Sequence, residues 1–313
     1  MIVIDRDAVY EQLRMSRCIE LMKEALADLD AGINTQNVRT GMGLPKGAIA
    51  FMPCYLGRRG CFGAKIIAVY PRNAQDGWPS HQGYVLLFTE EHGEPVAAVD
   101  ACAITEIRTA AASAAATDLL ARKDCRHLAM LGSGAQAVSH LEGMLAVRPI
   151  ESISVWSYHR EHAERYISSM KVKYPQLRFE VFDTPAEAVR EADLVCTVCR
   201  SREPYLFADM IRPGTHINAV GTCSSVTREA ASDLVAASRL YVDQIEACKA
   251  ESGEYLIPLK EGLIGEDHIV GSIGAVVNGT APGRLNDQEI TLFDSLGLAI
   301  EDVICAEELY KLS

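Results

Sequence analysis

The sequence has no excess of positive charge: 30 Lys and Arg stand against 42 Asp and Glu, a formal net charge of −12 at pH 7. A field of that sign repels polyanions, so nucleic acid is not expected as a partner, and an anionic ligand must be met by a local cluster of cations. No apolar run is long enough to span a bilayer, and no membrane partner is expected. The opening residues, Met1 to Asp7, read as a short strand and turn without a charged leader or cleavage signature. The ten cysteines lack the short chain length and regular spacing of a secreted disulfide scaffold. Both features lead us to expect a cytoplasmic protein. Internal repeats, low-complexity tracts and loose linkers are also missing.

What is present suits an α/β protein. With 313 residues and a hydrophobic share of 49%, the chain is long enough for two domains with separate cores. The first part mixes an amphipathic helix, Ser16 to Ala31, with strand-like runs at 48–52, 63–69 and 84–88. The turn at Glu91–Glu94 reads as a hairpin, which implies a mixed or partly antiparallel sheet. An alanine-rich helix, Ala103 to Leu120, leads onward. Beyond it, apolar strands at 128–131, 153–156, 179–182, 194–198, 216–220 and 240–242 alternate with helical or loop segments, the pattern of a doubly wound parallel sheet. An amphipathic segment, Thr291 to Leu312, closes the chain and is long enough to return to the first domain. The expected fold is therefore a Rossmann-type sheet over residues 117–290 plus a mixed α+β domain over 1–116, completed by 291–313. The two domains are expected to pack around a shared cleft.

Cys125 to Ala137 carries a dinucleotide fingerprint, an apolar strand that ends in a glycine turn and opens into a helix. Gly132 permits the tight turn, Gly134 lets the backbone approach a pyrophosphate, and Ala137 allows close packing of helix on strand. The helix start at Ser133, Gly134, Ala135 and Gln136 presents free N–H groups to phosphates. At the end of the next strand, an acid would accept hydrogen bonds from a ribose 2′-hydroxyl and repel a 2′-phosphate. No acid stands there. The residues are Ser157, Tyr158, His159 and Arg160, which favour NADP(H) while leaving NAD(H) open; the alternative for His159 and Arg160 is an ordinary surface at a helix start. Ligands of such sheets sit at strand carboxyl ends, here Thr197, Val198 and Cys199, and Val220 and Gly221. Cys196 and Cys199 form a CxxC, but with no second such pair or His pair we read them as core cysteines and expect no metal.

Holding an anionic substrate in an acidic protein requires buried cations, and the first domain offers Arg39, Lys65 and Arg108. Lys65 lies in an apolar strand, so it either points to solvent or meets a ligand. Arg39 and Arg108 have surface and ion-pair alternatives. Two arginines and a lysine brought together would suit an α-carboxylate with an adjacent nitrogen.

The chain resembles the ornithine cyclodeaminase and mu-crystallin family over essentially its whole length. The matching stretches include Arg39-Thr40, Phe62–Lys65, Gly77–Gly83, Thr105–Ser113, Gly132–Gln136, Thr227–Glu229, Gly253–Leu259 and Ile290–Asp302. The resemblance implies a homodimer, with a substrate and dimerisation domain formed by the first part and the last helix. It also implies use of NAD or NADP in cyclodeamination, ketimine reduction or amino-acid dehydrogenation. Arg39, Lys65 and Arg108 fall on the family's substrate-gripping positions, with Ser80 and His81 beside that pocket. Thr109, Ser295 and Gly297 join the cofactor-binding set on the same resemblance. Thr222 stands at a catalytic position where cyclodeaminases carry an aspartate, and a threonine is no general base at neutral pH.

The reading that follows is an NADP(H)-dependent reductase of a small imino acid. Candidate substrates are a cyclic ketimine, such as pyrroline- or piperideine-2-carboxylate, or a linear imine of a 2-oxo acid. In this reading Lys65 orients or protonates the nitrogen. The alternatives are an ornithine cyclodeaminase that retains NAD and a mu-crystallin-like ligand-binding protein.

Overall fold

A computed structural model describes residues Met1–Ser313, apart from the side chains of Ala74 and Gln75. The chain divides into two compact units, one made of residues 1–108 and 297–313 and the other of residues 109–296. Unit 1 opens with β1 (Ile2–Ile4), α1 (Arg6–Gln12), α2 (Met15–Asp30), β2 (Asn34–Gln36), β3 (Thr40–Leu44) and β4 (Gly47–Leu56). It continues with β5 (Cys61–Val69), β6 (His81–Thr89), β7 (Pro95–Asp100) and α3 (Ala101–Leu120), whose second half belongs to unit 2.

Unit 2 contains β8 (His127–Leu131), α4 (Ala135–Val147), β9 (Ser152–Trp156), α5 (Arg160–Lys173), β10 (Arg178–Val181), α6 (Pro185–Val189) and β11 (Leu194–Thr197). Then come β12 (His216–Ala219), α7 (Ser232–Ala237), β13 (Arg239–Val242), α8 (Ile245–Glu251), α9 (Gly253–Lys260), β14 (Ile269–Ser272), α10 (Ile273–Val277) and β15 (Thr291–Asp294). The final helix, α11 (Ala299–Leu312), belongs to unit 1. Among the described residues, no helix is long and apolar enough to cross a membrane.

Unit 1 is built on a mixed sheet of order β1-β7-β6-β5-β4-β2, with β3 added to β4. Its β4 to β7 form an antiparallel meander, and β1 joins β7 in parallel. Strand alternation divides the sheet into two faces. Met52, Lys65 and Val85 lie opposite one another on one face, and Phe51, Ile66 and Tyr84 on the other. The first face is covered by α11, which packs on α2 and on β4 to β7. In α2, Met15, Cys18, Ile19, Met22, Ala25 and Leu26 recur at helical spacing and are buried. The second face leaves Met42, Phe51, Phe62 and Tyr84 exposed.

The eight strands of unit 2 are all parallel, in the order β10-β9-β8-β11-β12-β15-β13-β14. Short runs such as Leu194–Thr197 and His216–Ala219 are buried at every position, as a sheet covered on both faces demands. The chain reverses its direction of winding between β8 and β11, the switch point at which such sheets bind ligands.

Two expectations are corrected. Thr291–Asp294, assigned from sequence to the closing helical segment, is β15, buried and paired in parallel with β12 and β13. Two apolar residues between Thr291 and Asp294 satisfy either period, and the two flanking strands decide the outcome. The unit boundary also lies within α3, at 108/109, because the apolar alanine stretch of that helix is continuous and offers no break at 116/117.

The turn between β15 and α11 depends on Gly297. Its φ is +80°, and a Cβ there would lie 2.6 Å from Arg108 Nη1. Gly297→Ala is expected to lower stability by about 1–3 kcal/mol from backbone strain alone. An unchanged denaturation midpoint would contradict this role.

Candidate functional site

In unit 2 the parallel register brings the turns after several strands to one edge of the sheet. Backbone hydrogen bonds extend the ladder past the strand ends: Gly132 N donates to Trp156 O (2.8 Å), Val198 N to Leu131 O (2.9 Å), Val220 N to Thr197 O (3.1 Å) and Ser295 N to Ala219 O (2.9 Å). Gly132 has a φ of +131°, and a Cβ there would come within 2.8 Å of the Val198 side chain. That contact makes glycine necessary where the ends of β8 and β11 converge. The N-terminus of α4 at Gly134 has no side-chain cap, and open space surrounds the missing Gly134 side chain. Ala137 N is held by Gly134 O at 3.0 Å, and the uncapped helix start ahead of it suits a dinucleotide pyrophosphate.

Around the end of β9, Ser133 Oγ donates to Ser157 Oγ at 3.2 Å, and Tyr158 OH shares a hydrogen bond with Ser201 Oγ at 2.7 Å. His159 lies against the His162 ring. Arg160 is exposed and paired with Glu164 (3.0 Å) and with Asp183, so much of its charge is already answered. Cys196 and Cys199 are buried, and burial pushes both thiols up to about 12.

Behind the Val220–Thr222 turn lies a pair of buried carboxyl groups that the sequence reading left without a role. Gly221 N and Tyr205 OH donate to the two oxygens of Glu229, each at 2.7 Å. Glu254 accepts from Glu229 N at 2.7 Å and from the Thr222 hydroxyl at 3.1 Å. Burial pushes Glu229 up to about 8 and also raises Glu254, because it disfavours the charged form of each carboxyl group. The network fixes the turn rigidly. Thr227–Glu229 and Gly253–Leu259 are conspicuous in the sequence, yet nothing local says that the two acids meet.

In unit 1, Lys65 from β5 and Arg108 from α3 are both buried and converge on the start of α11. Lys65 Nζ donates to Thr105 Oγ1 (2.6 Å) and to Asp302 Oδ1 (3.0 Å). Arg108 donates through Nε to Asp302 Oδ1 (3.1 Å) and through Nη1 to Glu301 Oε2 (2.7 Å). Burial lowers the Lys65 pKa to about 8, against the pull of Asp302 and with the push of Arg108. Burial also works against charge on Arg108, but Asp302 and Glu301 outweigh it and hold its pKa above the ordinary value. Neither cation is saturated. An ammonium has three donors and Lys65 uses two, while Arg108 Nη2 makes no hydrogen bond among the described residues.

Arg39 joins the same region, donating from Nη2 to Gly297 O at 3.2 Å. Gly297 therefore serves the cation cluster through its carbonyl and its missing side chain. Ser80 and His81 are not drawn in. Ser80 Oγ pairs with His81 Nδ1 at 2.9 Å, and His81 lies opposite Val69, whereas Lys65 lies opposite Val85. Four strand residues, about 13 Å, separate the two positions. Thr109 is buried on α3. Thr105, Glu301 and Asp302 were missed as site residues. The available signal was physical: a buried lysine and arginine demand carboxylates, and Glu301-Asp302 interrupts an otherwise apolar segment.

The comparisons with known proteins agree with this architecture. A profile of the ornithine cyclodeaminase/mu-crystallin family matches residues 1–312. The chain is 36% identical to ketimine reductase mu-crystallin of Rattus norvegicus over 98% of its own length and 96% of that protein. It is 33% identical to Delta(1)-pyrroline-2-carboxylate reductase of Bacillus cereus, covering 99% of this chain and 96% of the other. Among solved structures, Thermococcus litoralis Delta(1)-pyrroline-2-carboxylate reductase in complex with NADH and L-proline superposes with a TM-score of 0.94 at 35% identity, covering 99% of this chain and 97% of that one. The chain belongs to the ornithine cyclodeaminase/mu-crystallin family.

Proposed function

We propose that this chain, an NAD(P)-dependent oxidoreductase, reduces the C=N bond of a small cyclic imino acid with one carboxylate, pyrroline- or piperideine-2-carboxylate being the favoured substrates. The observation that carries the reading is the unsaturated cluster of Lys65 and Arg108 on Asp302 and Glu301. The donors that Lys65 and Arg108 leave unused are few and close together, which suits a single carboxylate. The resemblance to pyrroline-2-carboxylate and ketimine reductases supports the same choice.

The free Arg108 Nη2 and the third Lys65 N–H would hold the substrate carboxylate and turn its C=N group. Lys65 then has a second task. With a pKa near 8 it is a stronger acid than an ordinary lysine and can protonate the imine nitrogen, making the carbon electrophilic. The bound nicotinamide would supply the hydride. Gly132, Gly134 and the start of α4 would bind its pyrophosphate, and the turns at Thr197–Cys199, Val220–Gly221 and Ser295 would complete the site. With no acid after β9 to refuse a 2′-phosphate, NADP(H) is the preferred cofactor and NAD(H) is accepted. The exposed row of Met42, Phe51, Phe62 and Tyr84 would be covered in a homodimer.

Substrate assays test the reading directly. The protein is expected to oxidise NADPH with pyrroline-2-carboxylate or piperideine-2-carboxylate and to release no ammonia from L-ornithine, since Thr222 offers no carboxylate. Ornithine conversion without oxidation of NADPH by any imine would overturn it.

Lys65→Met should leave cofactor binding intact while reducing kcat/KM by at least about tenfold, the worth of one charge-assisted hydrogen bond. For Arg108 the informative change is to Lys. Alanine would strand Glu301 and Asp302 without their cation, at a cost to folding of roughly 3–5 kcal/mol. Near-normal turnover in both Lys65→Met and Arg108→Lys would remove the cluster from the site.

The pH dependence has a definite sign. Lys65 acts as the acid and must be protonated, so kcat/KM for reduction should be high below pH 8 and fall as pH rises through about 8. A profile that stays level to pH 10 would rule out Lys65 as the proton donor.

A further inference from the structure

We infer that unit 2 contains a built subsite for a ribose 2′-phosphate, formed by Arg165 and His162 of α5 with the Ser133 hydroxyl of the glycine turn. This rests on the dinucleotide reading above and relocates its charge recognition away from Arg160.

A cavity of about 460 Å³ lies between the glycine turn and α5, and its lining includes Ser133, Gly134, Ala135, His162 and Arg165. Ser133 Oγ also reaches Ser157 Oγ, so the cavity begins beside the position where an acid would hold a free ribose 2′-hydroxyl. The sequence directs attention to Arg160, the cation nearest β9. The structure points Arg160 elsewhere, into Glu164 and Asp183. Arg165, in contrast, forms no ion pair among the described residues, although it lies only five positions further along the same helix. One helical turn before it, His162 faces the same cavity, and its ring lies tilted against His159 with the centroids 5.0 Å apart. The neighbouring acid Glu161 lies 3.9 Å from His159 and feels the charges of His162 and Arg165, but it forms no ion pair with Arg165 and is absent from the cavity wall.

The chemistry fits a phosphate monoester in an acidic protein. A guanidinium can bind two phosphate oxygens at once, an imidazole can donate to a third, and a serine hydroxyl can donate to any of them. A ribose 2′-hydroxyl, with one oxygen and no charge, engages only a small part of this capacity. Arg165 and His162 are thus specificity residues for the cofactor, and they lie within unit 2.

The test uses the full-length protein and isothermal titration with adenosine 2′,5′-bisphosphate and with 5′-AMP, which differ only in the 2′-phosphate. Wild type is expected to bind the bisphosphate at least about tenfold more tightly. Arg165→Ala and His162→Ala should each narrow that ratio, Arg165→Lys should restore part of it, and Arg160→Ala should leave it in place. Affinity for 5′-AMP should stay constant throughout, which shows that the variants are folded. If wild type shows no preference, the inference and the NADP(H) preference fall together while imine reduction stands. A wild-type preference that survives Arg165→Ala and His162→Ala but is lost in Arg160→Ala would overturn the inference alone.

Discussion

Two buried cations impose the central constraint on this chain. Lys65 and Arg108 lie almost wholly out of water, and a charge at that depth persists only if carboxylates and hydrogen bonds replace its hydration. The first 108 residues place the cations; the carboxylates, Glu301 and Asp302, come from the other end of the sequence. The return of α11 to unit 1 thus completes a hydrophobic core and an ion cluster in one step, through Ile300, Val303 and Ile304 on one side and the two acids on the other. Gly297 is the hinge of that return, because its conformation starts the helix in the right place and its missing side chain clears room for Arg108.

Unit 2 handles its polar groups differently. Its sheet is parallel throughout, with central strands buried at every position, and the groups assigned to a ligand lie in the turns at one edge. Rigidity there comes from hydrogen bonds to neighbouring strand ends and from Glu229 and Glu254, which tie down Gly221 and Thr222. Such a scaffold has its dipoles fixed before a ligand arrives, which is the economy on which electrostatic catalysis depends.

Much of this was legible in the sequence because it is local. The glycine turn, the alternating strands and helices, the amphipathic α2 and the isolated Lys65 each carry their signal within a few residues. The features that escaped are those created by distant pairing. Thr291–Asp294 gives no local reason to be a strand and becomes one between β12 and β13. Ser80 and His81 stand near Lys65 by family resemblance, yet the register of β5 with β6 carries them four residues away. Arg160 has the right charge in the right segment, but Asp183, beyond the next strand, takes it. Asp302 was visible as a residue and invisible as a partner.

Recognition of the substrate by the unit 1 cluster through one carboxylate is what the proposed chemistry requires most directly. Competition during reduction of pyrroline-2-carboxylate, comparing pyrrole-2-carboxylate with pyrrole-2-carboxamide, isolates that charge at constant ring shape. The carboxylate is expected to inhibit wild type at least about tenfold more strongly than the amide, and Lys65→Met to narrow the difference. Equal inhibition by the two compounds in wild type would contradict it.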